Sequence, residues 1–321
     1  MNEKITQTEN ILKKLDLQPL TSPKIHFKDK TVRSYFSQVV DQKGKKFFIK
    51  INPQFNRVEF DRFCRSYGIG QLLKKNRPPF YKYTPMLISG AVNKRDGYLL
   101  YEYIEAENMG SRSQYDFSRF DKGNYQAFIL VAKAFHDLPI KGLSGDRQLF
   151  RHLDLLSVIK QKLTFLDDKL FDVMTKAEGD YHLKEITKLL NSLKPKNNLI
   201  HGDLQSPNFI KHKNNLYLVD FDLTAIGDPS YDYAYFCLHL VRKPTVRSFY
   251  QRKILAGTSD DFINTFSIYS YVLCFIQILA LIKTINLSTE VFNKAELDFR
   301  AKMIKNRLIE LDLWSQNLPV V

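Results

Sequence analysis

The stretch from Leu199 to Phe236, LIHGDLQSPNFIKHKNNLYLVDFDLTAIGDPSYDYAYF, decides the fold. It opens on a short apolar run, Leu199 and Ile200, and enters a polar loop holding His201, Gly202, Asp203 and Pro207. Two β-rich pieces follow, Asn208 to Lys211 and Leu216 to Phe221, and Asn214-Asn215 between them reads as a hairpin turn. A strand, a loop and a hairpin in this order bring Asp203, Asn208 and Asp220 to one end of the same small sheet.

That set suits phosphoryl transfer, which asks for a carboxylate to orient and deprotonate an acceptor hydroxyl and for oxygen ligands that hold Mg²⁺ on nucleotide phosphates. Asp203 fits the first task; the amide oxygen of Asn208 and the carboxylate of Asp220 fit the second. Singly, an Asp or Asn in a loop is a turn former, so the ordered set carries the argument. The stretch resembles the catalytic core of the aminoglycoside phosphotransferase and choline kinase-like family: His-Gly-Asp, four residues, Asn, an apolar strand ending in Asp, then Gly-Asp-Pro (Gly227 to Pro229) and Tyr-Asp-x-Ala (Tyr231 to Ala234). The resemblance implies a bilobal, α+β protein kinase-like fold with a small, mainly β amino lobe and a larger, mainly helical carboxyl lobe. It also implies Asp203 as base, Asn208 and Asp220 as metal ligands, and Asp232 as a buried brace of the catalytic loop. Asp222 is open between a second metal ligand and a solvated neighbour. His201 reads as a local packing and hydrogen-bonding residue.

Outward from this core, Lys24 to Ile51 alternates as a β-meander: KIHF, RSYFSQVV, a turn at Gly44, then KKFFIKI. Lys50 lies late in the last strand and shares a face with Phe48, opposite Ile49 and Ile51. Its position resembles the strand lysine that pairs with nucleotide phosphates in kinases of this class. Phe55 to Leu73 has helical spacing, and Glu59 near its start is the candidate partner of Lys50. Ile25 to Lys43 holds no glycine, so a phosphate-covering segment at Lys28 to Ser34 would work with Ser, Thr and backbone amides. The strand YLLYEYIEAE resembles the one entering a kinase hinge, which implies adenine contacts from the backbone of Tyr103 and Ile104. The lobes are then 1–103 and 104–321.

In the second part, Asn124 to Leu138 reads as a helix burying Phe128, Val131, Ala132 and Phe135 and stopped by Pro139. His136 near its end reads as a core or cap residue. Helical periodicity returns from Arg147 to about Ala177, from Leu183 to Leu193 and beyond Tyr235. Phe262 to Ile282 carries no charged residue, long enough to raise a membrane span, which needs about 20 apolar residues. Its Asn264, Thr265, Ser267, Ser270 and Gln277 favour a buried core helix.

The 321 residues include 48 Lys or Arg against 34 Asp or Glu, a net charge of +14. Such an excess favours anionic partners. From Val241 to Val321 eleven Lys or Arg face seven Asp or Glu, which points to a neutral or anionic hydroxyl acceptor over a polycationic aminoglycoside. The reading is a kinase moving the γ-phosphoryl group of ATP or GTP, with Mg²⁺, to a sugar, amino alcohol, glycolipid or aminoglycoside. Two alternatives stay open: a catalytically silent kinase fold used as a binding module, and a basic nucleic-acid-binding protein, to which the ordered Asp, Asn and Asp set runs counter. Cys64, Cys237 and Cys274 form no metal-ligand spacing, and the charged N-terminus reads as an amphipathic helix; together they imply a reduced, cytoplasmic chain.

Overall fold

The structure is a computed structural model and describes residues 2–20, 24–28, 31–111, 117–140, 150–163, 174–240, 242–287, 294–316 and 318. The chain forms two compact units, Met1–Arg151 with Asn198–Ile226, and His152–Asn197 with Gly227–Val321.

In the first unit, α1 (Asn2–Lys14) precedes the short β1 (Gln18–Pro19) and then β2 (Lys24–Lys28), β3 (Thr31–Val40) and β4 (Lys46–Asn52). Next come α2 (Arg57–Asn76), β5 (Leu87–Val92) and β6 (Gly97–Glu102). The strands make a six-stranded sheet of order β1-β3-β4-β6-β5, with β2 also paired to β3. The expected meander is present, and Gly44 takes φ +77° in the turn between β3 and β4. Alternation along β4 sorts its side chains. Ile49 and Ile51 join Leu12, Leu17, Tyr35, Val39 and Leu100 in a core cluster that takes in α1. The other face meets α2, where Phe63, Leu87 and Leu99 form a second cluster. Lys50 pairs in register with Leu99 on that face. Of the expected phosphate-covering segment, Asp29 and Lys30 lie outside the described residues, and Lys28 pairs with Thr31 across them.

β6 ends at Glu102, and the chain passes through Tyr103 and Ile104 into β7 (Glu107–Asn108). There follow β8 (Gly110–Ser111), β9 (Phe117–Ser118) and α3 (Tyr125–His136), which buries Phe128, Val131, Ala132 and Phe135 as expected. His136 is itself buried. The unit is completed by β10 (Asn198–Ile200), β11 (Phe209–His212), β12 (Asn215–Leu218) and β13 (Ala225–Gly227). β7 pairs with β11. Both strands lie beyond the expected 103/104 boundary and belong to the first compact unit, so the division by compactness differs from 1–103 and 104–321.

Two details of the central hairpin differ from the sequence reading. Its turn is Lys213-Asn214, one residue earlier, because His212 pairs with Asn215 and Lys213 takes φ 54°. Its second strand stops at Leu218, and Asp220 adopts a left-handed conformation ahead of a 3₁₀ turn over Phe221–Leu223.

The second unit is helical: α4 (Leu155–Leu163), α5 (Lys176–Ser192), α6 (Pro229–His239), α7 (Pro244–Leu255), α8 (Asp260–Leu287) and α9 (Lys294–Gln316). Of the periodic stretch Arg147 to Ala177, residues 147–149 and 164–173 lie outside the described residues. α8 packs against α4, α5, α6 and α9. It is long and apolar enough to cross a membrane, yet 78% of that stretch is buried within the protein, which makes it a core helix. Within it Thr265 donates to the Asp261 carbonyl at 2.6 Å and Ser267 to the Ile263 carbonyl at 2.9 Å, and Gln277 meets His239 at 3.1 Å.

Candidate active site

β10 delivers His201, Gly202 and Asp203, and the hairpin β11–β12 delivers Asn208 and Asp220. The Val219 amide donates to the Asn208 carbonyl at 2.9 Å, and the Val219 carbonyl accepts from His201 Nε2 at 3.1 Å. These two bonds bring the loop after β10 and both ends of the hairpin together. His201 is fully buried beside the rings of Phe135 and Phe221, and Phe221 stacks on Phe135 at 5.5 Å. Gly202 takes φ +76°, and a Cβ there would lie 2.2 Å from the Leu223 carbonyl oxygen. Only glycine lets the loop lie this close to the turn after Asp220.

Asp203 is 8% exposed. Asn208 Nδ2 donates to its backbone carbonyl at 2.6 Å and to its Oδ2 at 2.9 Å, while Gln205 Nε2 donates to its Oδ1 at 2.7 Å. With its nitrogen given to Asp203, the Asn208 amide turns its oxygen the other way. Ser206 braces the loop from behind through a 2.7 Å bond to Ser118 on β9, and Asn108 on β7 donates to the Pro207 carbonyl at 3.1 Å.

Lys50 crosses to this cluster. Its Nζ donates to Asp222 Oδ2 at 2.6 Å and to Asp220 Oδ1 at 3.2 Å. Burial, the largest single influence, pulls the ammonium pKa down, but the charges and hydrogen bonds of Asp222 and Asp220 together outweigh it and leave it above its ordinary value. The same two carboxylates, after burial, push the Tyr101 phenol up. Asp220 holds φ 68° and ψ 70°, a sparsely populated region for a side-chain-bearing residue that Asp tolerates better than most.

Glu59, expected as the partner of Lys50, has a different place. It stands at the third position of α2 in a capping box with Asn56, its amide donating to Asn56 Oδ1 at 2.9 Å and its Oε2 accepting from the Asn56 amide at 3.3 Å. α2 reaches the site two turns later. Ser66 Oγ donates to Asp222 Oδ1 at 2.6 Å, and Arg65 Nη1 donates to the Asp222 carbonyl at 3.1 Å. Ser66, Arg65, Gln205 and Tyr101 were not singled out from the sequence. The available signal was periodicity: Ser66 follows Glu59 by seven residues, and Tyr101 follows Leu99 by two. Tyr103 and Ile104 lie between β6 and β7, and the Lys46 ammonium sits over the Tyr103 ring at 5.8 Å.

Among the described residues no group of three or more His, Cys, Asp or Glu is placed to hold a metal. The Asp220 carboxylate and the Asn208 amide oxygen are hard oxygen donors of the kind a hard divalent cation takes.

A family model for the phosphotransferase enzyme family matches residues 32–262, more than half of the chain. The chain belongs to that family. No curated protein matches it. Solved structures of the same fold do. Amicoumacin kinase hAmiN in complex with AMP-PNP, Ca²⁺ and Ami is 12% identical with a TM-score of 0.64, over 97% of this chain and 96% of that one. Choline kinase LicA from Streptococcus pneumoniae is 17% identical with a TM-score of 0.60, over 97% and 99%. The GDP complex of wild-type aminoglycoside 2'-phosphotransferase-IIIa is 16% identical with a TM-score of 0.58, over 98% and 99%. This phosphotransferase-family chain therefore has the protein kinase-like fold, with a β-sheet N-terminal part and a helical C-terminal part, and its membership supports a phosphotransferase enzyme.

Proposed function

We propose that the chain transfers the γ-phosphoryl group of ATP or GTP to a hydroxyl of a small molecule. The observation that carries the reading is the interlock of Asp203 with Asn208 beside Asp220 at one hairpin end, with Lys50 drawn to the same place. Asp203 accepts the acceptor's hydroxyl proton, its carboxylate aimed by Asn208 and Gln205. Asn208 and Asp220 hold Mg²⁺, which when bound neutralises charge on the β- and γ-phosphates. Lys50 supplies the protein's own cation to the phosphates, and the backbone of Tyr103 and Ile104 binds the base. In this reading the lobes divide functionally at 103/104, whatever the compactness of each part.

The relatives act on choline, amicoumacin and aminoglycosides, so the acceptor is a hydroxyl-bearing small molecule. The cationic excess beyond Val241 favours a neutral or anionic one, although Arg247 and Arg307 there are already paired with Glu310. Cys64, Cys237 and Cys274 form no disulfide, which agrees with a cytoplasmic location.

The test is acceptor-dependent ADP and GDP release with Mg²⁺ across amino alcohols, sugars, phosphorylated sugars, glycolipids and aminoglycosides. Turnover with one class, abolished by Asp203→Asn, is expected. Failure of the chain to bind either nucleotide overturns the assignment, and turnover confined to aminoglycosides overturns the acceptor charge.

A further inference from the structure

Lys50 has two carboxylates within reach and does not share itself equally: Asp222 is at 2.6 Å and Asp220 at 3.2 Å. Asp222 has two further partners, both on α2. The second oxygen of Asp222 is held by Ser66 Oγ at 2.6 Å, and its carbonyl by Arg65 Nη1 at 3.1 Å. A serine hydroxyl has one proton to give, and Ser66, almost fully buried, gives it to Asp222. Asp222 is thus tethered to α2 through side chain and backbone, with one oxygen left to face Lys50.

We infer that Ser66 is the positioning residue of this site: through Asp222 it sets where Lys50 rests and keeps Asp220 available to the metal. An acidic residue on α2 would bind Lys50 directly. Here the helix binds it at one remove, by a neutral hydroxyl that fixes the carboxylate of the turn following Asp220. Without the Ser66 bond the Asp222 carboxylate turns freely and loosens its hold on Lys50, which is left with its 3.2 Å contact to Asp220. The metal-binding carboxylate is then partly neutralised. The kinetic consequence rests on the phosphoryl-transfer reading; the placement of Lys50 does not.

The experiment is pulsed acetylation of the full chain without nucleotide, followed by mass spectrometry of the Lys50 peptide, in wild type, Ser66→Ala and Ser66→Thr. Lys50 in Ser66→Ala is expected to label about tenfold faster, the factor for losing one hydrogen bond to a charged group. Ser66→Thr, which keeps the hydroxyl, should label like wild type. In an Asp222→Asn background, Ser66→Ala should add nothing, since the two act as one unit. In turnover assays Ser66→Ala should need more Mg²⁺ for half-maximal rate, with the acceptor KM unchanged. Equal labelling in wild type and Ser66→Ala, equal acceleration in Ser66→Thr, or a full additional effect in the Asp222→Asn background overturns the inference. If Ser66→Ala does not fold, Ser66→Cys, similar in size and a weak donor, takes its place. A wild type that binds neither nucleotide removes the kinetic arm and the proposed function; the labelling arm still decides the role of Ser66.

Discussion

Asp203, the proposed base, shows how much of a side chain's readiness is set by its neighbours. Each carboxylate oxygen already accepts an amide proton, Oδ1 from Gln205 and Oδ2 from Asn208, so the group is held in one orientation before any acceptor arrives. A side chain fixed in this way loses little freedom when the hydroxyl docks. Asp203→Asn keeps the volume and removes the proposed base. It is expected to lower kcat by about 10²–10⁴, with the nucleotide dissociation constant within a few-fold of wild type, as measured by fluorescent-nucleotide titration beside steady-state kinetics. A comparable loss of nucleotide binding would mean that Asp203 supports the fold of the loop and not the proton transfer. The residue types at Asp203, Asn208 and Asp220 were legible because their spacing is tied to a hairpin. The partners of Lys50, Asp222 and Asp220, were not. Glu59 and Ser66 lie seven residues apart on one face of α2, and sequence periodicity identifies the face but not the height at which the helix crosses the sheet. The helix meets the site at Ser66, a residue too common to stand out, which bonds Asp222 and not Lys50.

At the scale of elements, the loop after β10 and the turn after β12 are fitted to each other through Gly202. An added methyl there would meet the Leu223 carbonyl oxygen at 2.2 Å, and the glycine already holds φ +76°. The left-handed conformation alone costs a side-chain-bearing residue about 1–2 kcal/mol, and the clash can be relieved only by moving backbone next to Asp222. Gly202→Ala should therefore lower both the melting temperature and kcat, and thermal denaturation beside kinetics would show it; an active variant of wild-type stability would refute the close approach. In the second unit, Glu310 on α9 accepts from both guanidinium nitrogens of Arg247 on α7, at 2.7 and 3.1 Å, and from Arg307, which also donates to the Leu238 carbonyl of α6. Burial raises the Glu310 carboxyl, but the two arginines outweigh it and hold it below its ordinary 4.5. Its folded value being depressed, its contribution is complete above about pH 4.5 and is lost as the pH falls through the lower folded value. Glu310→Gln should cost about 3 kcal/mol near neutrality by leaving two arginines under-compensated. The gap between the two melting curves should stay constant from pH 8 to about pH 5 and narrow only as the pH falls below 4.5. A gap that widens in acid would mean that the pair is not what holds α7 to α9. Nothing in the sequence pairs Arg247 with Glu310, 63 residues away; that pairing follows from how the helices cross.

For the whole molecule, composition gave two signals of different worth. The uncharged run in α8 was ambiguous between a membrane span and a core helix, because both are apolar all round. Burial by α4, α5, α6 and α9 decides it, and that is a property of the neighbours, not of the helix itself. The net charge of +14 is legible in the sequence, and its consequence is a long-range field. A nucleoside triphosphate is a multiply charged anion, so it should be drawn toward the protein before contact is made. Steering of this kind weakens as the screening length falls from about 30 Å at 0.01 M salt to about 10 Å at 0.1 M. Lys50, only 5% exposed, is shielded from that screening. The association rate of a fluorescent ATP analogue should then drop severalfold over this range, about as seen for steered encounters, while its dissociation rate barely moves, since buried contacts govern departure. Stopped-flow measurement at a series of salt concentrations separates the two rates. A flat association rate would place the cationic excess away from the path of the nucleotide. A dissociation rate that rises steeply with salt would mean instead that exposed charges, and not Lys50, hold the phosphates once bound.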